Sequence, residues 1–86
     1  MTIEVAILAC LDRVRGYAMP EGALHTDVNM LQPQSVTLSE LKESLHELEV
    51  KNQVTSALDD LQSTSQQKKY KWRITDNGSA RVASLR

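Results

Sequence analysis

The stretch Thr37-Leu-Ser-Glu-Leu-Lys-Glu-Ser-Leu-His-Glu-Leu-Glu-Val-Lys-Asn-Gln-Val54 holds a helix start, a buried face, a helix stop and a strand start in one run. Thr37-Leu-Ser-Glu40 has the Ser/Thr-x-x-Glu form of a capping box, in which hydroxyl and carboxylate each satisfy a backbone amide that the first turn would leave unpaired. Leu38, Leu41, Leu45 and Leu48 then recur at intervals of three, four and three, which places them on one face of a helix. The opposite face carries Glu40, Lys42, Glu43, His46, Glu47 and Glu49. Asn52 stands where a residue tolerant of the left-handed conformation is wanted to leave the helix. Val54 and Ala57, with Thr55 and Ser56 between them, then read as a short strand.

Working upstream, Pro33-Gln-Ser-Val36 is the turn before this helix, because the proline ring ends a hydrogen-bond ladder and restrains the residue before it. The helix it closes carries Leu24, Val28 and Leu31 as one apolar stripe. That helix opens at Pro20, whose missing amide hydrogen would be unpaired in a first turn anyway. Tyr17-Ala-Met19 is a connector. Before it, Thr2 can cap a first helix over residues 3–15, with Ile3, Ile7, Cys10, Leu11 and Val14 on its buried face and Gly16 ending it in the left-handed conformation.

Working downstream, Gln62-Ser-Thr-Ser-Gln-Gln67 is polar and aperiodic and reads as a hairpin tip. Tyr70, Trp72 and Ile74 then alternate with Lys69, Lys71 and Arg73, which predicts a strand with bulky residues on the core side and cations on the other. Thr75-Asp-Asn-Gly78 breaks that strand, and Ala80, Val82, Ala83 and Leu85 allow a short last helix. The expected core is Ile7, Leu11, Leu24, Val28, Leu41, Leu45, Leu48, Trp72 and Ile74.

The predicted order is helix, helix, helix, strand, strand, helix, over one domain spanning residues 1–86. This is a mainly α fold with a small antiparallel β-hairpin (α+β), and it resembles the winged helix-turn-helix of MarR/PadR-type transcriptional regulators. Two stretches carry the likeness. Leu41 to Val54 is similar to the family pattern in which a leucine-spaced recognition helix runs into a Leu-Glu-x-x-Gly-Leu-Val exit, with Asn52 in place of the glycine. Trp72-Arg-Ile-Thr-Asp-Asn-Gly78 is similar to the Tyr-x-Leu-Thr-x-x-Gly that ends the wing and starts the next helix. The resemblance implies a three-helix core plus wing and a short C-terminal helix. It implies an activity less firmly, since this fold serves DNA, RNA and protein recognition alike.

Composition narrows the function further. The 86 residues include no Phe, one Trp and two Tyr, so the core is aliphatic. Cys10 is the only cysteine and sits among Ile7, Leu8 and Leu11, so it reads as a small buried hydrophobe, and no disulfide can form within the chain. The longest apolar run, Val5 to Leu11, is far short of the roughly 20 residues of a membrane span, and a cytoplasmic location is expected. Adjacent Asp59 and Asp60 read as a turn and form no acid/base pair. His25 and His46 lie on different helices and have no second soft ligand, so no metal site is expected. Gly16, Gly22 and Gly78 are scattered and make no phosphate loop. No enzyme, cofactor or small-molecule substrate is expected.

Charge then separates two binding hypotheses. The net charge is −1. Residues 1–60 hold Arg13, Arg15, Lys42 and Lys51 against ten carboxylates, while residues 61–86 hold Lys68, Lys69, Lys71, Arg73, Arg81 and Arg86 against Asp76 alone. In a standard docking the third helix would offer Ser39, Lys42, Glu43 and His46 to the major groove. That face also carries Glu40, Glu47 and Glu49, which phosphates repel. The DNA reading is therefore led by the wing, where Lys68, Lys69, Lys71 and Arg73 would follow a phosphate backbone weakly and in a salt-sensitive way. Its bland counterpart is a row of cations protecting an edge strand from aggregation. The rival hypothesis is a protein-interaction module in which the acidic third helix receives a basic partner or a second copy, with no nucleic acid bound. The resemblance implies a homodimer, for which Met19, Leu61 or the last turn would supply the surface.

Overall fold

In a computed structural model, described for residues 2–59 and 69–85, Thr37 and Glu40 close the capping box at the start of a helix over Leu38–Val50. The hydroxyl of Thr37 accepts from the Glu40 amide at 3.2 Å, and the Glu40 carboxylate accepts from the Thr37 amide at 3.2 Å. The far end closes as a Schellman motif around Asn52, which sits at φ 63°. There the Asn52 amide donates to Glu49 O at 3.0 Å and the Gln53 amide to Leu48 O at 2.9 Å. Both boundaries predicted from sequence are those of the helix.

Among the described residues the order is α1 (Ile3–Asp12), β1 (Met19–Pro20), α2 (Glu21–Leu31), α3 (Leu38–Val50), β2 (Val54–Leu58), β3 (Tyr70–Ile74) and α4 (Asp76–Ser84). α1 lies at the centre: Ala6, Ile7, Leu8, Cys10 and Leu11 are all buried on it, and it packs against α2, α3 and α4. All nine expected core residues are buried, joined by Val36, Val54 and Val82 in the same cluster. Cys10 is buried as expected, and burial pushes its thiol pKa up, with Asp27 adding to the effect and Arg13 opposing it.

Four features differ from the expectation. α1 ends at Asp12 rather than at residue 15, because the chain tightens into i,i+3 bonds from Val14 to Leu11 and Arg15 to Asp12 before Gly16 turns it at φ 91°. The Asp12 carboxylate holds that turn through Arg15 at 3.1 Å and the Ser79 hydroxyl at 3.1 Å. Met19–Pro20 is a strand, and Pro20 caps α2 from outside with ψ 144° instead of forming its first turn. A proline can end a sheet edge because its nitrogen has no hydrogen to leave unpaired. Met19 is partly buried and packs against the core through this strand.

The resulting sheet has three strands in the order β1-β3-β2, all antiparallel. β3 is thus the central strand, which removes the edge-protection reading of its cations. Finally, Leu31, Leu38, Tyr70 and Leu85 are exposed although each continues an apolar pattern. The Gln62–Gln67 tip, Asp60, Leu61 and Lys68 lie outside the described residues.

Candidate nucleic-acid interface

The turn between α2 and α3 is clamped from α2. Asn29 and His25, four residues apart and so on one helical face, reach the two backbone groups of Val36: Asn29 Oδ1 accepts from its amide at 2.6 Å, and His25 Nε2 bonds its carbonyl at 2.5 Å. A carbonyl only accepts, so Nε2 of His25 carries the hydrogen. This fixes how α3 is presented. It also gives His25 a structural task and separates it from His46, and among the described residues no group of His, Cys, Asp and Glu is placed to hold a metal ion.

Of the expected recognition face, Ser39, Lys42, Glu43 and His46 are all exposed on α3, and their spacing of i, i+3, i+4 and i+7 keeps them on one face of the helix. Lys42 and His46, with Leu38, line a groove between α3 and β3. Two of the carboxylates on the helix have internal hydrogen-bond partners. Glu40 is occupied in the capping box, and Glu49 accepts from the Ser56 hydroxyl at 2.6 Å. Glu43 and Glu47 are the exposed carboxylates that remain on α3.

In the wing, Val54, Ser56 and Leu58 face Ile74, Trp72 and Tyr70 across the ladder. Burial fades along this face from Val54 and Ile74 to the exposed Leu58 and Tyr70, so the hairpin leaves the body as it rises. The other face pairs Thr55 with Arg73 and Ala57 with Lys71, and these residues border a shallow depression with Ala18. Lys69 precedes the strand and lines the groove instead, together with Tyr70 and Trp72. The predicted row of cations is therefore divided: Lys71 and Arg73 lie on the outer face and Lys69 on the groove side, with Lys68 outside the described residues.

Two acidic residues decide which other cations are available. Glu4 holds Lys51 at 3.3 Å and Arg81 at 3.7 Å, and Arg81 also donates to the Gln53 side chain at 2.8 Å. Glu21 lies on the floor of the groove, whose volume is about 490 Å³. One of its oxygens accepts from Trp72 Nε1 at 3.4 Å, and the other is 3.9 Å from Lys42 Nζ. Lys71 and Arg73 make no ion pair among the described residues. Sequence reading missed Glu21, because an acid at the first position of a helix is common for its interaction with the helix dipole alone.

The chain superimposes on solved winged-helix regulators over nearly its whole length. A PadR family transcription regulator from Clostridium difficile matches with a TM-score of 0.77 and 17% identity, covering 96% of this chain and 81% of that one. The fold is a PadR-like winged helix. A transcriptional-regulator candidate from Thermoplasma acidophilum matches at 0.77 and 18% identity, covering 95% of this chain and 72% of that one. Bacillus subtilis PadR, solved in complex with operator DNA, matches at 0.78 and 17% identity; the match covers 98% of this chain but 46% of that one. No family model and no curated protein matches the sequence.

The two stretches that resembled PadR-type regulators turn out to be joints of the PadR-like fold. Asn52 takes the left-handed position of the Schellman motif that turns α3 into β2. Thr75 caps α4 by accepting from the Gly78 amide at 3.2 Å, and Gly78 faces the Gln53 carbonyl so closely that a Cβ would lie 2.2 Å from its oxygen. Among the described residues no helix is long and apolar enough to cross a membrane.

Proposed function

We propose that this chain is a single-domain, non-enzymatic, DNA-binding regulatory module whose wing makes the main contact with duplex phosphates. The observation that carries the reading is the state of its cations. Lys51 and Arg81 are tied to Glu4, whereas Lys71 and Arg73 stand on the outer face of the wing without an ion pair among the described residues. Lys69 adds a cation beside the groove, and Lys68 continues the run in sequence. The DNA-bound state of a structural neighbour with the same fold supports this reading.

The test is binding to a labelled random duplex at several salt concentrations. Three to four phosphate contacts give a log–log salt slope of about −3. Replacing Lys69, Lys71 and Arg73 by Gln together abolishes binding with the melting temperature unchanged; binding that survives the triple substitution refutes the wing-led reading.

A second reading is favoured by one observation. Glu43, Glu47 and the 75% exposed Val50 lie at helical spacing on α3, an acidic stripe with an apolar end that suits a basic protein partner. Absence of duplex binding at low salt would leave this protein-interaction module as the function.

A further inference from the structure

We propose that Glu21 is a discriminating residue of the interface, a fixed carboxylate that engages Lys42 across the groove and thereby suppresses sequence-independent binding to duplex DNA. The inference rests on the DNA-binding reading above.

Glu21 opens α2 directly after Pro20, where the positive end of the helix favours an anion. Its side chain is only 11% exposed. The carboxylate is held by the indole of Trp72, which is itself buried and pinned between Met19 of β1 and Ser56 of β2. Lys42 is the movable partner, with 57% of its side chain exposed. The anion therefore stays in place on the floor of the groove between the recognition helix and the wing, and the cation comes to it.

A phosphate approaching Lys42 has to draw the ammonium off Glu21 and also approach the carboxylate that the Trp72 indole holds. Sequence-independent affinity grows with each cation free to neutralise a phosphate. While Lys42 is engaged, α3 presents the exposed Glu43 and Glu47 to an arbitrary duplex, and the wing must carry the contact alone. Weakening the contact that every sequence offers equally raises the relative weight of contacts that only some sequences offer.

The experiment measures affinity for a random-sequence duplex against salt for the full chain, Glu21→Gln, Lys42→Gln, the double variant, and Lys71→Gln/Arg73→Gln. Glutamine keeps the shape of Glu21 and an acceptor for the Trp72 indole, and Trp72 fluorescence with a thermal melt checks that the fold is retained. Glu21→Gln should steepen the log–log salt slope by about 0.9, so its affinity gain over wild type is about 3.5-fold larger at about 50 mM than at about 200 mM salt. Lys42→Gln alone should leave the slope near wild type, and the double variant should return to it. Binding by Glu21→Gln where wild type shows none would also support the proposal.

An unchanged slope in Glu21→Gln overturns it, and so does a double variant that binds as tightly as Glu21→Gln, since the carboxylate would then act without Lys42. If Lys71→Gln/Arg73→Gln loses binding while Glu21→Gln behaves as wild type, the DNA-binding reading stands and the role of Glu21 falls. If neither wild type nor Glu21→Gln binds at low salt, both fall.

Discussion

Replacing Gly78 by Ala sets two physical effects against each other, and the structure decides the sign. Gly78 is the third residue of α4, where alanine on propensity alone would add about 1 kcal/mol of stability. Its Cβ, however, would meet the Gln53 carbonyl oxygen at 2.2 Å and Ile74 Cγ1 at 2.7 Å, where real Cβ atoms essentially never approach within 3.0 Å. The nearer atom is backbone, held by the Schellman turn on one side and by the Thr75 amide, which donates to it at 3.1 Å, on the other. Relief means lifting α4 from the start of β2. Overpacking of this kind costs about 1–3 kcal/mol. The strained Thr75 hydrogen bond adds about 1 kcal/mol, which cancels the propensity gain. The net is a loss of about 2 kcal/mol, or about 8–16 °C in Tm for a domain of this size. Trp72 is the only tryptophan, so its fluorescence in a thermal or urea melt reads the change directly. Gly22→Ala is the control: it is also helical, a Cβ there meets nothing within 4 Å, and it should be neutral or stabilising. Gly78→Ala melting at or above wild type would refute the close approach of α4 to the α3–β2 joint.

Two further stability predictions use the same melts. Leu45 is wholly buried in the middle of α3, so Leu45→Ala should cost about 2–5 kcal/mol, a large part of the total for a small domain; an unchanged Tm would contradict the burial of this face. Cys10 has its thiol pKa raised by burial, so the folded chain holds the proton after the unfolded chain has released it. The corresponding stability is full below the ordinary thiol pKa of about 8.5 and is lost as pH rises towards the folded value. Wild type should therefore lose stability more steeply than Cys10→Ala above about pH 9, and parallel curves would show that the thiol titrates normally.

The elements of this fold that could be read in advance are those specified by neighbours in sequence. The capping box and the left-handed Asn52 each act within a turn or two and appear as predicted, and the leucine interval of α3 and the alternation around Trp72 hold for Leu41, Leu45, Leu48, Trp72 and Ile74. β1 could not be read, because a two-residue strand has no alternation of its own and is defined by a partner, Trp72 and Lys71, near the other end of the chain. Periodicity also ran past its physical limit. Leu38 and Tyr70 keep the apolar pattern at positions where the opposing element has already diverged, so they line the groove instead of the core. The cations of the chain were legible as composition, but which of them are engaged was not, since the pairs Glu4–Arg81, Glu4–Lys51 and Glu21–Lys42 all form between elements distant in sequence.

The position of β3 has a consequence for the way this chain acquires its structure during synthesis. It is the central strand, yet it is the last strand in the sequence, and both β1 and β2 depend on it for their hydrogen bonds. A nascent chain ending after β2 has its three helices but no sheet, and Val54 has no Ile74 to pair with. Local helical contacts form quickly, whereas pairing Met19 with Trp72 closes a loop over most of the chain. The helices α1–α3 can thus form before β3 is available, and the interface between α3 and the wing is assembled only once β3 has joined them.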